Sequence, residues 1–237
     1  MKVTFTSKSK IDKEFFPRPA GAVLPEWLVK MSSYGGFHDD PEGFKSVTHS
    51  GEPNATIKKC VPVADAISAG YIIVTTNDIW VEKAKGEPDQ QFKGRGAMSV
   101  SFHDFGQAKH HPAGNNGVNF PKLNNPWMIK TPKGYSVLFT APMHNPNGFF
   151  KVFPGIVDTD GYKAAVNFPF AMDDPEFSGL IPAGTPVVQV IPFKRDSWKM
   201  EIGGEKEIKE VDEVNSRHFS KIFNAYKTLW WNRKEFK

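Results

Sequence analysis

Asp158 and Asp160 are the groups in this sequence with the most chemistry to offer. As a carboxylate pair at i and i+2, they could hold a divalent cation or activate an attacking water. The same spacing suits a plain turn, in which Asp caps its own backbone. Lys194, Arg195 and Asp196, with Lys199 close behind, end an apolar run and could bind an anion. A solvated turn is the plainer reading of that cluster.

His103, His110, His111 and His144, with Asp104, carry donors for a metal. Zinc needs three or four such groups brought together by the fold. His110 and His111 point opposite ways in an extended chain, and no His-Glu-x-x-His or Cys-x-x-Cys spacing occurs. Surface loop histidines are the simpler account, so a divalent metal is a possible cofactor with no ligand set assigned. Cys60 is the only cysteine. The preceding Lys58 and Lys59 would favour a reactive thiolate, while a buried structural thiol is the simpler reading. Gly94-Arg95-Gly96 is too short for a phosphate loop.

These groups need a scaffold, and the composition describes one. The 20 Phe and 6 Trp supply large rings for a sizeable core. The 19 Pro and 20 Gly are spread along the chain, which favours short strands and turns over long helices. A single cysteine excludes an internal disulfide, and there is neither a secretory apolar region near the N-terminus nor a run long enough to span a bilayer. The cytoplasm is the expected compartment, and a membrane is not expected as a partner. Net charge is +4, with basic and acidic residues interleaved. Nucleic-acid binding concentrates Lys and Arg on one face, so this pattern argues against that partner and suits a small anionic ligand equally well.

Along the chain, Val3–Thr6 alternates like a strand and Pro25 opens a short helix carrying Trp27, Leu28 and Met31. Ser32 to Gly51 reads as loop. Residues 55–69 predict a helix interrupted at Pro62 and ended by Gly70. Tyr71–Thr75, Ile79–Val81 and Met98–Phe102 read as strands, and residues 104–124 as a long polar loop. From Trp127, six strands follow at 127–130, 135–139, 149–153, 162–168, 187–191 and 198–202. Residues 207–231 switch to a three-and-four period and predict one amphipathic helix of about six turns. One domain is expected, with residues 1–125 as an elaboration, 126–202 as a barrel-like core and 206–231 as the closing helix. The class is α+β, mostly β.

Gly155-Ile156-Val157-Asp158-Thr159-Asp160-Gly161-Tyr162 resembles the central Gly-Val-Ile-Asp-Ser-Asp-Tyr motif of trimeric dUTPases. Gly184–Gln189 resembles their Gly-Asp-Arg-Ile-Ala-Gln strand, and Pro132-Lys133-Gly134-Tyr135 their Pro-x-Gly-Tyr turn. The resemblance covers about a third of the chain. It implies the β-clip barrel of dUTPases and dCTP deaminases, with Asp158 orienting and activating water and Tyr162 stacking under a base. Two family features are replaced. Ala141–Pro146, including His144, stands where Arg-Ser-Ser binds phosphate, and the terminal helix stands in place of the Gly-rich arm.

Over nearly its full length the chain also resembles a family of tailed-phage and bacterial proteins to which no activity is attached. The shared blocks include Leu24-Pro25-Glu26-Trp27, Cys60-Val61-Pro62, Asn125-Pro126-Trp127, Val166–Phe170 and Gln189–Asp196. Together these readings give a nucleotide or other small anion as ligand, hydrolysed or merely bound. Asp158 and Asp160 are then catalytic, and Tyr162, His144, Gln189, Lys194 and Arg195 bind the ligand. The alternatives are a non-catalytic accessory factor that binds another protein and a virion component, either of them able to form a homo-oligomer. For a phage protein the compartment is the host cytoplasm. A cavity at Asp158 and Tyr162 would favour the first reading, an exposed apolar helix stripe the second, and extended unpacked arms the third.

Overall fold

Strand is the dominant regular structure in the computed structural model, which describes residues 1–35, 55–87, 89–111, 119–219 and 225–237. In chain order the strands and helices begin with β1 (Thr4–Thr6), β2 (Arg18–Pro19), α1 (Glu26–Lys30), α2 (Val61–Ser68), β3 (Tyr71–Val74), β4 (Ile79–Glu82) and β5 (Gln91–Lys93). They continue with β6 (Ser99–His103), β7 (Phe120–Asn124), β8 (Met128–Lys130), β9 (Tyr135–Thr140), β10 (Phe150–Val152) and β11 (Gly155–Val157). Last come β12 (Phe168–Met172), β13 (Gly179–Ile181), β14 (Pro186–Lys194), α3 (Glu205–Phe219) and α4 (Ala225–Leu229).

The strands form antiparallel sheets in the orders β1–β8, β10–β12–β7–β6, β11–β9–β14–β3–β2 and β13–β4–β5. Period-two alternation sets the buried face. On β4, Ile79 and Val81 are buried while Trp80 and Glu82 face out. The inward residues of the sheets meet in one large apolar core that includes Ile73, Val81, Leu123, Val137, Phe139, Phe168, Phe170 and Val190. Burying each large apolar side chain contributes roughly 2 kcal/mol.

The expected barrel does not close. The five-stranded sheet ends at β11, three residues long, and at β2, a two-residue strand that ends at Pro19. Strands this short leave little backbone with which to close the sheet, and proline lacks the N–H a further ladder would need. The C-terminal helix differs too. Described helix runs over Glu205–Phe219 and Ala225–Leu229, and residues 230–237 are not helical. Residues 162–167 are turn and bend with one isolated bridge at Ala165, and β12 begins at Phe168. The polar stretch 104–124 contains a capped 3-10 turn at Phe105–Ala108 and the strand β7, while 112–118 lie outside the described residues. So does most of the 32–51 loop. Residues 198–202 form no strand and have no ladder partner among the described residues.

The strands expected at 71–75, 79–81 and 98–102 are present as β3, β4 and β6, while the helix expected over 55–69 falls in two pieces and Cys60 between them is half-buried. Pro62 sits in the first turn of α2, after a 3-10 turn at Ile57–Lys59. Gly70 follows with φ +69°, and a β-carbon there would lie 2.0 Å from the carbonyl oxygen of Val190. Glycine is required for both the backbone angle and this close approach to β14. Among the described residues, no helix is long and apolar enough to cross a membrane.

Candidate functional site

The acidic turn is positioned by three elements. β9 runs antiparallel to β14, with Tyr135 opposite Lys194, which brings Arg195 level with Gly134. The β8–β9 connection is a tight turn in which Tyr135 N–H donates to Pro132 O at 3.2 Å. Gly134 has φ +84° there, an angle that β-carbons resist. Its carbonyl accepts from Arg195 N–H at 2.9 Å, and its N–H donates to Asp160 Oδ2 at 2.8 Å. β11 supplies the third element, since it delivers Asp158–Asp160 beside this turn.

The turn after β11, in which Gly161 and Tyr162 N–H donate to Asp158 O at 3.1 and 2.9 Å, then separates the side chains. Thr159 is buried, its Oγ1 2.8 Å from Thr131 Oγ1. Asp158 and Asp160 turn the other way and meet Arg195. The guanidinium donates to Asp160 through both terminal nitrogens, with Nη1 2.9 Å from Oδ1 and Nη2 against Oδ2. Nη1 also lies 3.0 Å from Asp158 Oδ1 and 3.2 Å from Ser136 Oγ. The Ser136 hydroxyl donates to Asp158 Oδ1 at 2.6 Å. The Asp160 side chain is 12% exposed and that of Asp158 is 67% exposed.

Charge and hydrogen bonding shift these groups in one direction. Arg195 and then the Gly134 amide hold the Asp160 carboxyl down at about 2. The Ser136 hydroxyl, followed by Arg195, lowers Asp158. Bonding to Asp160 raises Arg195. A lowered carboxylate is a weak base near neutral pH. A guanidinium already sits between the two carboxylates, where a divalent cation would have to go. The arrangement is well suited to joining the turn after β11 to the end of β14, because bidentate Arg–carboxylate pairs fix geometry.

The structure thus brings Asp158, Asp160 and Arg195 together with Gly134 of the Pro-x-Gly-Tyr turn, and adds Ser136, which no sequence motif singled out. Lys194 pairs instead with Asp196 at 3.2 Å. Gln189 is fully buried and bonds only to backbone: Nε2 to the Ala66 and Ala69 carbonyls at 2.8 and 2.7 Å, and Oε1 to Met143 N–H at 2.8 Å. His144 is exposed with φ 55°, and its carbonyl accepts from Trp27 Nε1 at 2.7 Å. Tyr162 is 48% exposed. Among the described residues, no group of three His, Cys, Asp or Glu is placed to hold a metal ion. Asp104 caps its 3-10 turn, and His111 packs against Phe120 and Phe153.

Three surface cavities formed by the described residues lie elsewhere, and none of the three is lined by Asp158, Asp160 or Tyr162. The largest of them, about 560 Å³, is bounded by Phe15, Asn77, Trp80, Lys93 and Arg95. Another of about 360 Å³ is an apolar groove between α1 and α2.

The segment after the clamp contrasts with the body. Every residue from Phe193 to Ser216 is exposed. Trp198, Met200 and Ile202 are 91%, 86% and 87% exposed. On α3, Ile208, Val211 and Val214 are also exposed. The chain rejoins the body where Trp231 Nε1 donates to Asp65 at 3.0 Å and Lys234 pairs with the same carboxylate at 2.7 Å. The sequence predicts a strand at 198–202, but a local pattern does not name the strand that would pair with it. No protein-family model matches the chain, and no curated protein is significantly similar to it.

Proposed function

We propose that this protein is a non-catalytic assembly component that joins further copies of itself through residues 196–216. The observation that carries this reading is the near-complete exposure of Trp198, Met200 and Ile202, large apolar side chains in a segment without a ladder partner among the described residues. Isolated subunits of soluble proteins rarely expose contiguous apolar surface of this kind. Burying three such side chains at an interface is worth roughly 2 kcal/mol each, enough to decide between a dilute monomer and a stable assembly.

Charge favours a second copy as the occupant. Residues 205–216 carry Glu205, Glu207, Glu210, Asp212 and Glu213 against Lys206 and Lys209, so this part of α3 is acidic, while the whole chain is net +4. The remainder is therefore basic, and the acidic helix is complementary to it. The Asp158–Asp160–Arg195 clamp acts on this reading as the root of the arm. The resemblance to tailed-phage proteins supports a virion component, built from copies that meet in the host cytoplasm.

Light scattering after size exclusion, over a range of protein concentrations, tests the proposal. The wild type is expected as an oligomer that dissociates on dilution. The triple variant W198S/M200S/I202S is expected as a monomer with an unchanged melting temperature of the body. A wild type that stays monomeric at every concentration, or a triple variant that still assembles, would overturn it.

A further inference from the structure

We propose that the cleft between the Lys13–Phe15 turn and the β4–β5 pair binds a nucleoside phosphate, with the base on Trp80 and the phosphate at Arg95 and Lys93. The cleft has a volume of about 560 Å³, within the range of small-molecule sites. Its platform is an indole on a rigid strand. β4 is paired on both sides, with Trp80 opposite Lys93 of β5 and Leu180 of β13. The neighbours Ile79 and Val81 are anchored in the core, so Trp80 is forced outward and is 56% exposed. Phe15 adds a second ring to the lining.

The cations are available. Arg95 is exposed and makes no hydrogen bond or ion pair among the described residues, unlike Arg195. Lys93 pairs with Glu82, but both side chains are more than half exposed, and such pairs are weak and exchangeable. An indole face beside a free guanidinium and an ammonium matches a planar base that carries an anionic tail.

The loop that bears Arg95 is held in place. Asn77 Oδ1 accepts from Met98 N–H at 3.0 Å, and its Nδ2 donates to Asp78 O at 3.0 Å. The Asn77 side chain fills the space where a β-carbon on Gly96 would lie, 2.2 Å from Oδ1. Asp78 Oδ1 accepts from Ala183 N–H at 2.8 Å, which fixes the remaining wall. Among the described residues, Asp78 is the one acidic group in the lining. Together with the Thr76 hydroxyl it offers acceptors to a sugar hydroxyl, so the cleft suits a nucleoside phosphate better than a bare polyanion. Preorganisation of this kind lowers the entropic cost of binding.

Isothermal titration of the full chain with the four common nucleoside monophosphates, adenosine and inorganic pyrophosphate tests the assignment. At least one monophosphate should bind, and more tightly than either adenosine or pyrophosphate. W80A and R95A should each weaken that binding at least tenfold, with circular dichroism unchanged, and D158N should leave it intact. The assignment fails if no monophosphate binds or if pyrophosphate binds as tightly with W80A indifferent. It fails equally if D158N abolishes binding or if a single-stranded decanucleotide binds more tightly than any monophosphate.

Discussion

Gln189 and Ala69 meet inside the body, with the Gln189 Nε2 amide 2.7 Å from the Ala69 carbonyl at the end of α2. The same nitrogen reaches Ala66 O, and Oε1 takes the Met143 amide. One side chain on β14 therefore satisfies backbone groups from two other segments. Leucine is close to Gln189 in volume but would remove the partner of the Ala69 carbonyl and the Met143 amide, leaving Ala66 O only its 3.4 Å bond from Ala69 N–H. Q189L is expected to lose about 3 kcal/mol in chemical denaturation, in line with buried polar groups left without partners. A loss under about 0.5 kcal/mol, the scale of surface changes, would show that water replaces the amide.

Two glycines with positive φ should respond very differently to alanine. Gly134 has open space where a β-carbon would lie, so G134A should cost only the left-handed backbone strain, about 1 kcal/mol. At Gly70 the methyl would also strike Val190 O at 2.0 Å, on backbone that cannot swing away. G70A is expected to cost on the order of 4 kcal/mol, at the diagnostic end of single substitutions. Paired melting curves read the contrast, and equal losses would mean that α2 can slide on β14.

Asp160 gives the fold a dependence on acid. Its carboxyl titrates at about 2 against an ordinary 3.8. A depressed carboxylate favours the folded state fully above the unfolded value, and the advantage fades as pH falls from 3.8 towards 2. D160N keeps the shape without the charge. The wild type should therefore melt higher than D160N at neutral pH, and the gap should shrink through this window and vanish near its lower end. A gap of constant size across the titration would assign the effect to packing instead.

The legible and illegible parts of the sequence divide along physical lines. Short apolar stretches bounded by turn residues marked β3 and β14, which are buried on both faces, while on β4 only Ile79 and Val81 enter the core. β12 was displaced because Pro169 sits inside it, and proline argues against strand. Here Pro169 needs no N–H of its own, and its carbonyl accepts from Phe153 at 2.8 Å. The strand expected at 198–202 does not form, since no ladder partner for it lies among the described residues, which no local pattern could reveal. At the acidic turn, the sequence offers Asp158 and Asp160 as a pair and a turn as the plainer reading, and the chain does turn there. That Arg195 fills the gap between them depends on β9–β14 register, which no local motif encodes.

Asp65 on α2 is the point at which the chain returns to the body after its exposed excursion. Its carboxylate accepts from Trp231 Nε1 and pairs with Lys234, while Phe236 lies edge-on to Tyr71 with ring centroids 6.1 Å apart. These contacts are peripheral to the core, so their loss should free the terminus without unfolding the sheets. D65A is expected to change global stability by less than about 1 kcal/mol, as partly exposed ion pairs do. Hydrogen exchange at residues 230–237 should nonetheless accelerate at least tenfold, because local opening draws on local contacts. An arm that works between two fixed ends needs this anchor to limit its reach. D65A should then weaken self-association at the concentrations where the wild type assembles, with the apolar side chains of the arm intact. Unchanged exchange at 230–237 in D65A would show that Tyr71 and Phe236 hold the terminus without the carboxylate.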